Sequence, residues 1–164
     1  MKKIKNYING IHTASSNEFT PIFDPSKGEE IGTVVLSDKS DFDSAIQSSV
    51  TAQEKWANVT PLKRSRILSN YKTLLEKNIN HLAEIVSSEH GKTIDDAKGS
   101  ITRGLEVVEF ACGIPHLLKG EFSQNVGSNI DSWSVRQPLG ISVGITPFNF
   151  PAMVPMWMYP ISIA

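Results

Sequence analysis

The most constraining feature of this 164-residue sequence is an apolar stretch that begins at Gly140 and runs to the last residue. Gly140–Thr146 is short and rich in β-branched residues, which predicts a strand buried on both faces. Pro147 ends this strand, and the residues from Phe150 onward are almost wholly apolar. A membrane-spanning helix needs roughly 20 apolar residues, so the pattern favours a buried helix that begins after Pro151.

A buried strand followed by a buried helix has to return to a neighbouring parallel strand. The sequence stops within the apolar stretch, before any such strand. We therefore expect an α/β fold that is incomplete here, with these residues forming one portion of a larger protein.

Three strand-like segments are predicted in the first third of the chain. Asn9-Gly10 is a residue pair that a tight hairpin prefers, because both turn positions need positive φ. Phe19–Phe23 gives a second β segment and Ile31–Leu36 a third, with a turn at Asp24–Gly28 between them. No residue types of catalytic use converge on these strands.

Four helices are predicted next. Ser40 is the expected N-cap of the first, and Thr60-Pro61 starts the second with a capping hydroxyl and a proline at the first helical position. The third covers about Asn80–His90 and ends at Gly91, a suitable left-handed terminator. Thr93 caps the fourth. The apolar stripe of this fourth helix consists of Ile94, Ala97, Ile101, Leu105, Val108 and Cys112.

After Gly120 the pattern returns to strand. Phe122–Val126 and Ile130–Val135 flank the turn residues Gly127-Ser128-Asn129, which predicts a β-hairpin.

Composition excludes several classes of function. The 16 basic and 17 acidic residues show no basic excess of the kind that nucleic-acid binding requires. A single cysteine can form neither an internal disulfide nor a cysteine-based zinc site, and the four histidines lie far apart, so no metal site is assigned. The charged start, Met1–Lys5, is not followed by an apolar run, which argues against secretion and favours a cytoplasmic protein.

The sharpest chemical feature is the turn Ile145–Pro151, which follows the predicted buried strand. Ligands of parallel α/β sheets bind beyond the carboxyl ends of the strands. Asn149 places amide donors in this apolar setting, and a rigid donor can stabilise an oxyanion. The structural alternative is a turn asparagine that bonds its own backbone.

Four segments resemble the aldehyde dehydrogenase superfamily, and within it the methylmalonate-semialdehyde (CoA-acylating) branch. They are Glu89–Thr93 (EHGKT), Arg103–Ala111 (RGLEVVEFA), Arg136–Gly140 (RQPLG) and Gly144–Met158 (GITPFNFPAMVPMWM). The resemblance extends from about Tyr7 to the end of the chain. It implies a Rossmann-like NAD-binding domain, with NAD as cofactor and coenzyme A as co-substrate.

The resemblance assigns roles to five residues of the turn. Asn149 matches the asparagine whose side chain holds the oxyanion. Thr146 and Phe148 match positions that line the cofactor cleft, with Ile145 and Pro147 in supporting contact. For Phe148 the alternative is simple core packing.

Arg103 matches the arginine that this branch is thought to use for the substrate carboxylate. A guanidinium suits that task because it offers two parallel donors to two oxygens. The alternative is a solvated arginine, or one that is paired with Glu106 or Glu109. Both interpretations stay open.

Cys112 is not expected to be the nucleophile. It continues the apolar stripe of the fourth helix, where a free cysteine packs as a small hydrophobe, and the family nucleophile belongs to a later segment. These residues also contain no phosphate-binding glycine loop.

The resemblance divides the chain into three parts. Residues 1–119 carry the first strands and helices of the NAD-binding domain, residues 120–137 form an oligomerisation hairpin, and residues 138–164 begin the NAD-binding sheet. We expect the N-terminal part of a methylmalonate-semialdehyde dehydrogenase that forms a homo-oligomer and is inactive on its own. The alternatives are a non-catalytic truncated module and another semialdehyde dehydrogenase, such as a succinate-semialdehyde type.

Overall fold

A small mixed sheet and a separate hairpin lie at the start of the chain, before Ser37, in the computed structural model, which describes residues 2–164. The central strand β5 (Glu30–Val35) pairs with β1 (Lys2–Ile4) in parallel and with β4 (Phe19–Phe23) in antiparallel orientation. Strands β2 (Asn6–Ile8) and β3 (Ile11–Thr13) form the hairpin.

The predicted Asn-Gly hairpin turn is confirmed. Asn9 has φ 52° and Gly10 has φ 79°, the positive values that a two-residue hairpin turn needs.

Four consecutive helices follow the sheet. They are α1 (Lys39–Trp56), α2 (Pro61–Lys77), α3 (Ile79–His90) and α4 (Ile94–Cys112). The caps predicted for three of them are confirmed. Thr60 accepts from Lys63 N and Thr93 accepts from Asp96 N, while Gly91 ends α3 with φ 84°.

The predicted cap of α1 is wrong, because Asp38 takes the place assigned to Ser40. The Asp38 carboxylate accepts from Asp41 N, and the Asp41 carboxylate accepts from Asp38 N. This reciprocal arrangement satisfies two backbone donors at once. A serine two residues later offers only one such bond, so the helix begins earlier than predicted.

Helix α4 is the centre of the hydrophobic core. Its predicted stripe is largely confirmed, since Ala97, Ile101 and Val108 are fully buried, although Ile94 at the helix start is 38% exposed. The core cluster consists of Ala83, Val86, Ala97, Ile101, Leu105, Val108 and Met156. Tyr71 and Leu75 of α2 are partly buried against this cluster. Helices α2 and α3 and the last helix therefore all pack on α4.

The predicted second hairpin is confirmed. A 3₁₀ turn (Ile114–His116) leads from α4 to β6 (Phe122–Gly127) and β7 (Ile130–Trp133), which pair in antiparallel orientation. Almost every residue of this hairpin is exposed.

The buried strand predicted for Gly140–Thr146 is not present. The described part of the chain has no strand between β7 and the last helix, and the side chain of Ile145 is 90% exposed. The β-branched residues favour an extended backbone, but a strand also needs a hydrogen-bonded partner. Residues 2–164 provide none for this segment.

The helix predicted after Pro151 is confirmed as α5 (Met153–Ile163). It buries Met153, Met156 and Pro160. None of the described helices is both long enough and apolar enough to cross a membrane.

Candidate functional site

The turn that carries Asn149 is positioned by helix α5, which begins four residues later. Met156 of α5 packs directly on Gly104 of α4. At the other end of α5, Trp56 Nε1 donates to the Ile163 carbonyl at 2.8 Å and Arg64 Nε donates to the Ala164 carbonyl at 2.7 Å. Helix α5 is therefore held along its length, and the turn at its N-terminal end has a defined place.

Asn149 lies exposed on this turn, and its side-chain amide makes no hydrogen bond within residues 2–164. The bond to its own backbone, which the structural alternative predicts, is not formed within residues 2–164. The amide is free to donate to a group that lies outside the chain.

Asn149 lines an open groove of about 770 Å³ between the turn, helix α3 and the loop before β5. The turn contributes Pro147, Phe148, Asn149 and Pro151, and the facing side contributes Phe23, Pro25, Glu89 and His90. Apolar walls with a few polar groups are typical of small-molecule sites.

The polar residues that face Asn149 across the groove were not singled out as site residues from the sequence. Glu89 and His90 end helix α3, and the Nδ1 atom of His90 is buried without a hydrogen-bond partner in the described chain. The sequence offered one signal for these residues, because the segment Glu89–Thr93 (EHGKT) resembles the family. That resemblance does not predict that they lie near the turn of Asn149.

The groove includes some of the predicted cofactor residues and not others. Pro147 and Phe148 line it, and the Phe148 ring is 93% exposed within the described residues. Ile145 is also almost fully exposed and Thr146 is half-buried, but neither lines the groove.

Arg103 is exposed on α4 and does not line the groove. It forms no salt bridge with Glu106, Glu109 or any other described carboxylate. The ion-pair alternative is therefore not realised, and the guanidinium remains available to a ligand or to solvent.

Cys112 has the environment of a structural thiol. Its Sγ donates to the Val108 carbonyl at 3.3 Å, and its side chain is half-buried at the end of α4. Burial raises the pKa of the Cys112 thiol, against a smaller opposite effect of Lys72. A raised pKa disfavours the thiolate that a nucleophile needs.

Comparison with known proteins gives several close relatives. The chain is 48% identical to the malonate-semialdehyde dehydrogenase of Pseudomonas aeruginosa, over all of this chain and 33% of that protein. A Dictyostelium discoideum protein assigned as methylmalonate-semialdehyde/malonate-semialdehyde dehydrogenase [acylating], mitochondrial, is 44% identical over 98% of this chain and 30% of its own length. The chain thus spans about a third of the length of these relatives.

The chain is also similar to a solved structure. The Sinorhizobium meliloti protein assigned as a methylmalonate-semialdehyde dehydrogenase, crystallised with NAD, superimposes with a TM-score of 0.94 and 50% identity. The match covers 98% of this chain and 33% of that one. The sequence profile described as the aldehyde dehydrogenase family matches residues 11–164. This chain belongs to the aldehyde dehydrogenase family.

Proposed function

We propose that these residues are part of an NAD-dependent, CoA-acylating dehydrogenase of the methylmalonate-semialdehyde type, and that they supply its oxyanion donor. The observation that carries the proposal is the exposed Asn149 side chain, whose amide makes no hydrogen bond within residues 2–164 and which lines the groove beside Phe148. Relatives named for methylmalonate or malonate semialdehyde support the substrate class.

Asn149 would act as an electrostatic catalyst. When a nucleophile adds to an aldehyde, negative charge develops on the carbonyl oxygen. The Asn149 amide donates a hydrogen bond to that oxygen and stabilises the charge in the transition state. Because Cys112 is half-buried and bonded to Val108, we assign the nucleophile to a residue outside these 164.

The turn fits the reactive end of NAD. Phe148 and Ile145 present almost fully exposed apolar side chains next to Asn149, and Pro147 lies between them. A flat aromatic side chain left in solvent is a suitable wall for a planar ring. Bound NAD would supply the hydride acceptor, and Thr146 and Phe148 would hold its nicotinamide end while Ile145 and Pro147 support them.

Arg103 is proposed to bind the substrate carboxylate. Its guanidinium is exposed and free of carboxylate partners in the described chain. Two parallel N–H donors match the two oxygens of a carboxylate. If Arg103 has this role, Arg103→Leu raises KM for a carboxylated semialdehyde and leaves KM for an uncharged aldehyde unchanged. Equal KM values for the carboxylated substrate in both proteins would exclude the role.

Coenzyme A is proposed as the acyl acceptor. The name of the Dictyostelium relative includes the word acylating, and the resemblance implies the same chemistry. The oxidised substrate would leave as an acyl thioester of CoA, and a malonate-type product would lose carbon dioxide.

The hairpin β6–β7 is proposed to pair with a second subunit. Phe122 and Trp133, which lie opposite each other in the register, are 65% and 71% exposed. An isolated two-stranded hairpin is barely stable in water, and an added subunit would cover both its apolar side chains and its strand edges.

The direct test is the kinetics of Asn149→Ala in the complete gene product, assayed by NAD reduction with malonate semialdehyde and coenzyme A. Loss of an oxyanion donor lowers kcat by about 10²–10³, so we expect a fall of that size with little change in NAD affinity. Asn80→Ala, an exposed asparagine on α3, is the matched control. Wild-type kcat in Asn149→Ala would refute the proposal.

A further inference from the structure

Lys92 is a charged side chain that the fold buries beside the turn of Asn149. It follows Gly91, the left-handed residue that ends α3, and only 8% of its side chain is exposed. Lysine is almost never buried to this extent without partners. The groups that its ammonium contacts therefore indicate what it does.

Two side chains of α4 hold the ammonium. Nζ of Lys92 lies 3.0 Å from Oδ2 of Asp96 and 3.4 Å from Oγ of Ser100. Ser100 is itself buried and donates to the Asp96 carbonyl at 2.9 Å. The backbone of Lys92 is fixed as well, because its carbonyl accepts from Ser87 Oγ at 2.7 Å. Both ends of the lysine are thus anchored to helices.

The third contact of the ammonium is the ring of Phe150. Nζ lies 4.5 Å from the ring centroid, within the roughly 6 Å at which a cation is attracted to an aromatic face. Phe150 directly follows Asn149 in the chain, and its carbonyl accepts from Val154 N at 3.3 Å in the first turn of α5. Fixing the Phe150 ring therefore restrains the backbone on which Asn149 is carried.

We propose that Lys92 is a positioning residue for Asn149. Its ammonium, held by Asp96 and Ser100, fixes the ring of Phe150 and so orients the turn that presents the Asn149 amide. This inference rests on the proposed function, in which that amide stabilises an oxyanion. Such a donor is effective because it is held in place before the reaction, and a displacement of about 1 Å can cost roughly 10²-fold in rate.

Lys92 acts through Phe150 and not on the substrate. Asp96 compensates its charge, and Lys92 is not among the residues that line the groove. Because the ring that Lys92 contacts directly follows Asn149, loss of Lys92 should affect the chemical step more than ligand binding.

The test compares Lys92→Met and Lys92→Arg in the complete gene product, assayed with NAD, malonate semialdehyde and coenzyme A. Lys92→Met keeps an unbranched side chain and removes the charge. We expect kcat to fall about tenfold, with KM for the semialdehyde and the dissociation constant for NAD each within about twofold of wild type. Lys92→Arg keeps the cation and should recover most of kcat, which a merely space-filling role does not predict.

Lys72→Met is the matched control. Lys72 is also largely covered, at 23% exposure, but its carboxylate partners, Glu76 at 2.7 Å and Glu109 at 3.7 Å, lie on α2 and α4 and not on the turn. We expect this variant to lose thermal stability without losing kcat. Phe150→Leu removes the same cation–ring contact without unpairing Asp96, so it tests the proposal even if Lys92→Met does not fold. It should lower kcat to a similar extent.

The outcomes separate the two proposals. If Asn149→Ala lowers kcat while Lys92→Met and Phe150→Leu keep wild-type kcat, Lys92 has no positioning role and the proposed function stands. If Asn149→Ala keeps wild-type kcat, the proposed function itself fails. A fall in kcat for Lys92→Met that Lys92→Arg does not recover and Phe150→Leu does not reproduce would overturn the positioning role.

Discussion

Gly104 of α4 lies in direct contact with Met156 of α5. A β-carbon added to Gly104 would be 2.7 Å from Met156 Cε and 3.0 Å from both its Cβ and its Sδ. This close approach lets α5 pack into the core on α4, and α5 in turn determines where the turn of Asn149 lies. Because Gly104 has no side chain, α5 can pack closely on α4, and this packing determines where the candidate site lies.

Enlarging this position is expected to destabilise the protein. Gly104→Val should lower the free energy of unfolding by ~2–3 kcal/mol, because overpacking a filled core costs more than the better helix propensity returns. Equilibrium urea unfolding measures the change. Gly99→Ala on the same helix has no atom within 4 Å of the added carbon, so it should stabilise by ~0.5–1 kcal/mol. Equal effects of the two variants would show that the α4–α5 contact does not limit stability.

Asp41 is expected to make the protein sensitive to acid. The backbone hydrogen bond from Ser15 N, at 2.6 Å, is the main reason why the pKa of the Asp41 carboxyl is lowered. Burial raises this pKa to a smaller extent, and the hydrogen bond from Ser16 N lowers it further. A lowered folded-state pKa contributes stability above the unfolded value of about 4, and this contribution is lost as the pH falls through the folded-state pKa.

Asp41→Asn should therefore be less stable than wild type at neutral pH. The difference in stability should shrink as the pH falls below about 4 and through the folded-state pKa of Asp41. Thermal unfolding midpoints measured across the pH range give both quantities. Asp43→Asn, an exposed neighbour paired with Lys39, is the control and should be close to wild type at neutral pH. A difference between Asp41→Asn and wild type that stays constant with pH would contradict the assignment.

Several of the features that the sequence predicted correctly depend on local chemistry. The Asn9-Gly10 turn, the Thr60 cap and the Gly91 terminator each follow from one or two residues, and all three are confirmed. The cap of α1 was missed because two aspartates act together, Asp38 with Asp41, which a search for a single capping residue does not find.

Features that depend on distant partners were not predictable in this way. Gly140–Thr146 has strand propensity, but the described chain offers no strand beside it. The contact of Lys92 with Phe150 joins positions 58 residues apart in sequence, and no local pattern links them. The resemblance made Asn149 a candidate site residue, while the groups that face it across the groove became visible only in the fold.

Tyr159 is expected to limit stability at high pH. Burial, followed by the hydroxyl contact with Tyr71, raises the pKa of Tyr159 far above its usual value. The unfolded tyrosine loses its proton near pH 10 while the folded one keeps it, so stability falls as the pH rises above about 10.

Tyr159→Phe should therefore flatten the alkaline part of the stability profile. At neutral pH the variant loses the hydroxyl contact, at a cost of ~1 kcal/mol. Urea unfolding at neutral pH and above pH ~10 separates the two effects. Tyr7→Phe, in which the replaced ring is 69% exposed, should leave the profile unchanged. An alkaline decline that persists unaltered in Tyr159→Phe would exclude this residue as its cause.

The hairpin side chains Phe122 and Trp133 are expected to hold subunits together. The combined change Phe122→Ser and Trp133→Ser removes two large exposed apolar groups from facing strands and should shift the complete protein to a smaller oligomer in light scattering. Leu74→Ser, an apolar side chain 58% exposed on α2, is the control. An unchanged oligomer in the hairpin variant would rule out this surface as the interface.

Cys112 is expected to react slowly with thiol reagents. Its half-buried position and raised pKa both reduce the thiolate that attacks an alkylating agent. At mildly alkaline pH we expect alkylation of Cys112 to be slower than that of a solvent-exposed cysteine, because a raised pKa lowers the fraction of thiolate. Peptide mapping after iodoacetamide treatment measures the rate at this residue.

The control for the Cys112 rate is the double variant Cys112→Ala/Ser69→Cys, which moves the thiol to an exposed position on α2. Urea should remove the difference by exposing both thiols, whereas a fast reaction of folded Cys112 would mean that its thiol is activated and that its structural assignment is wrong.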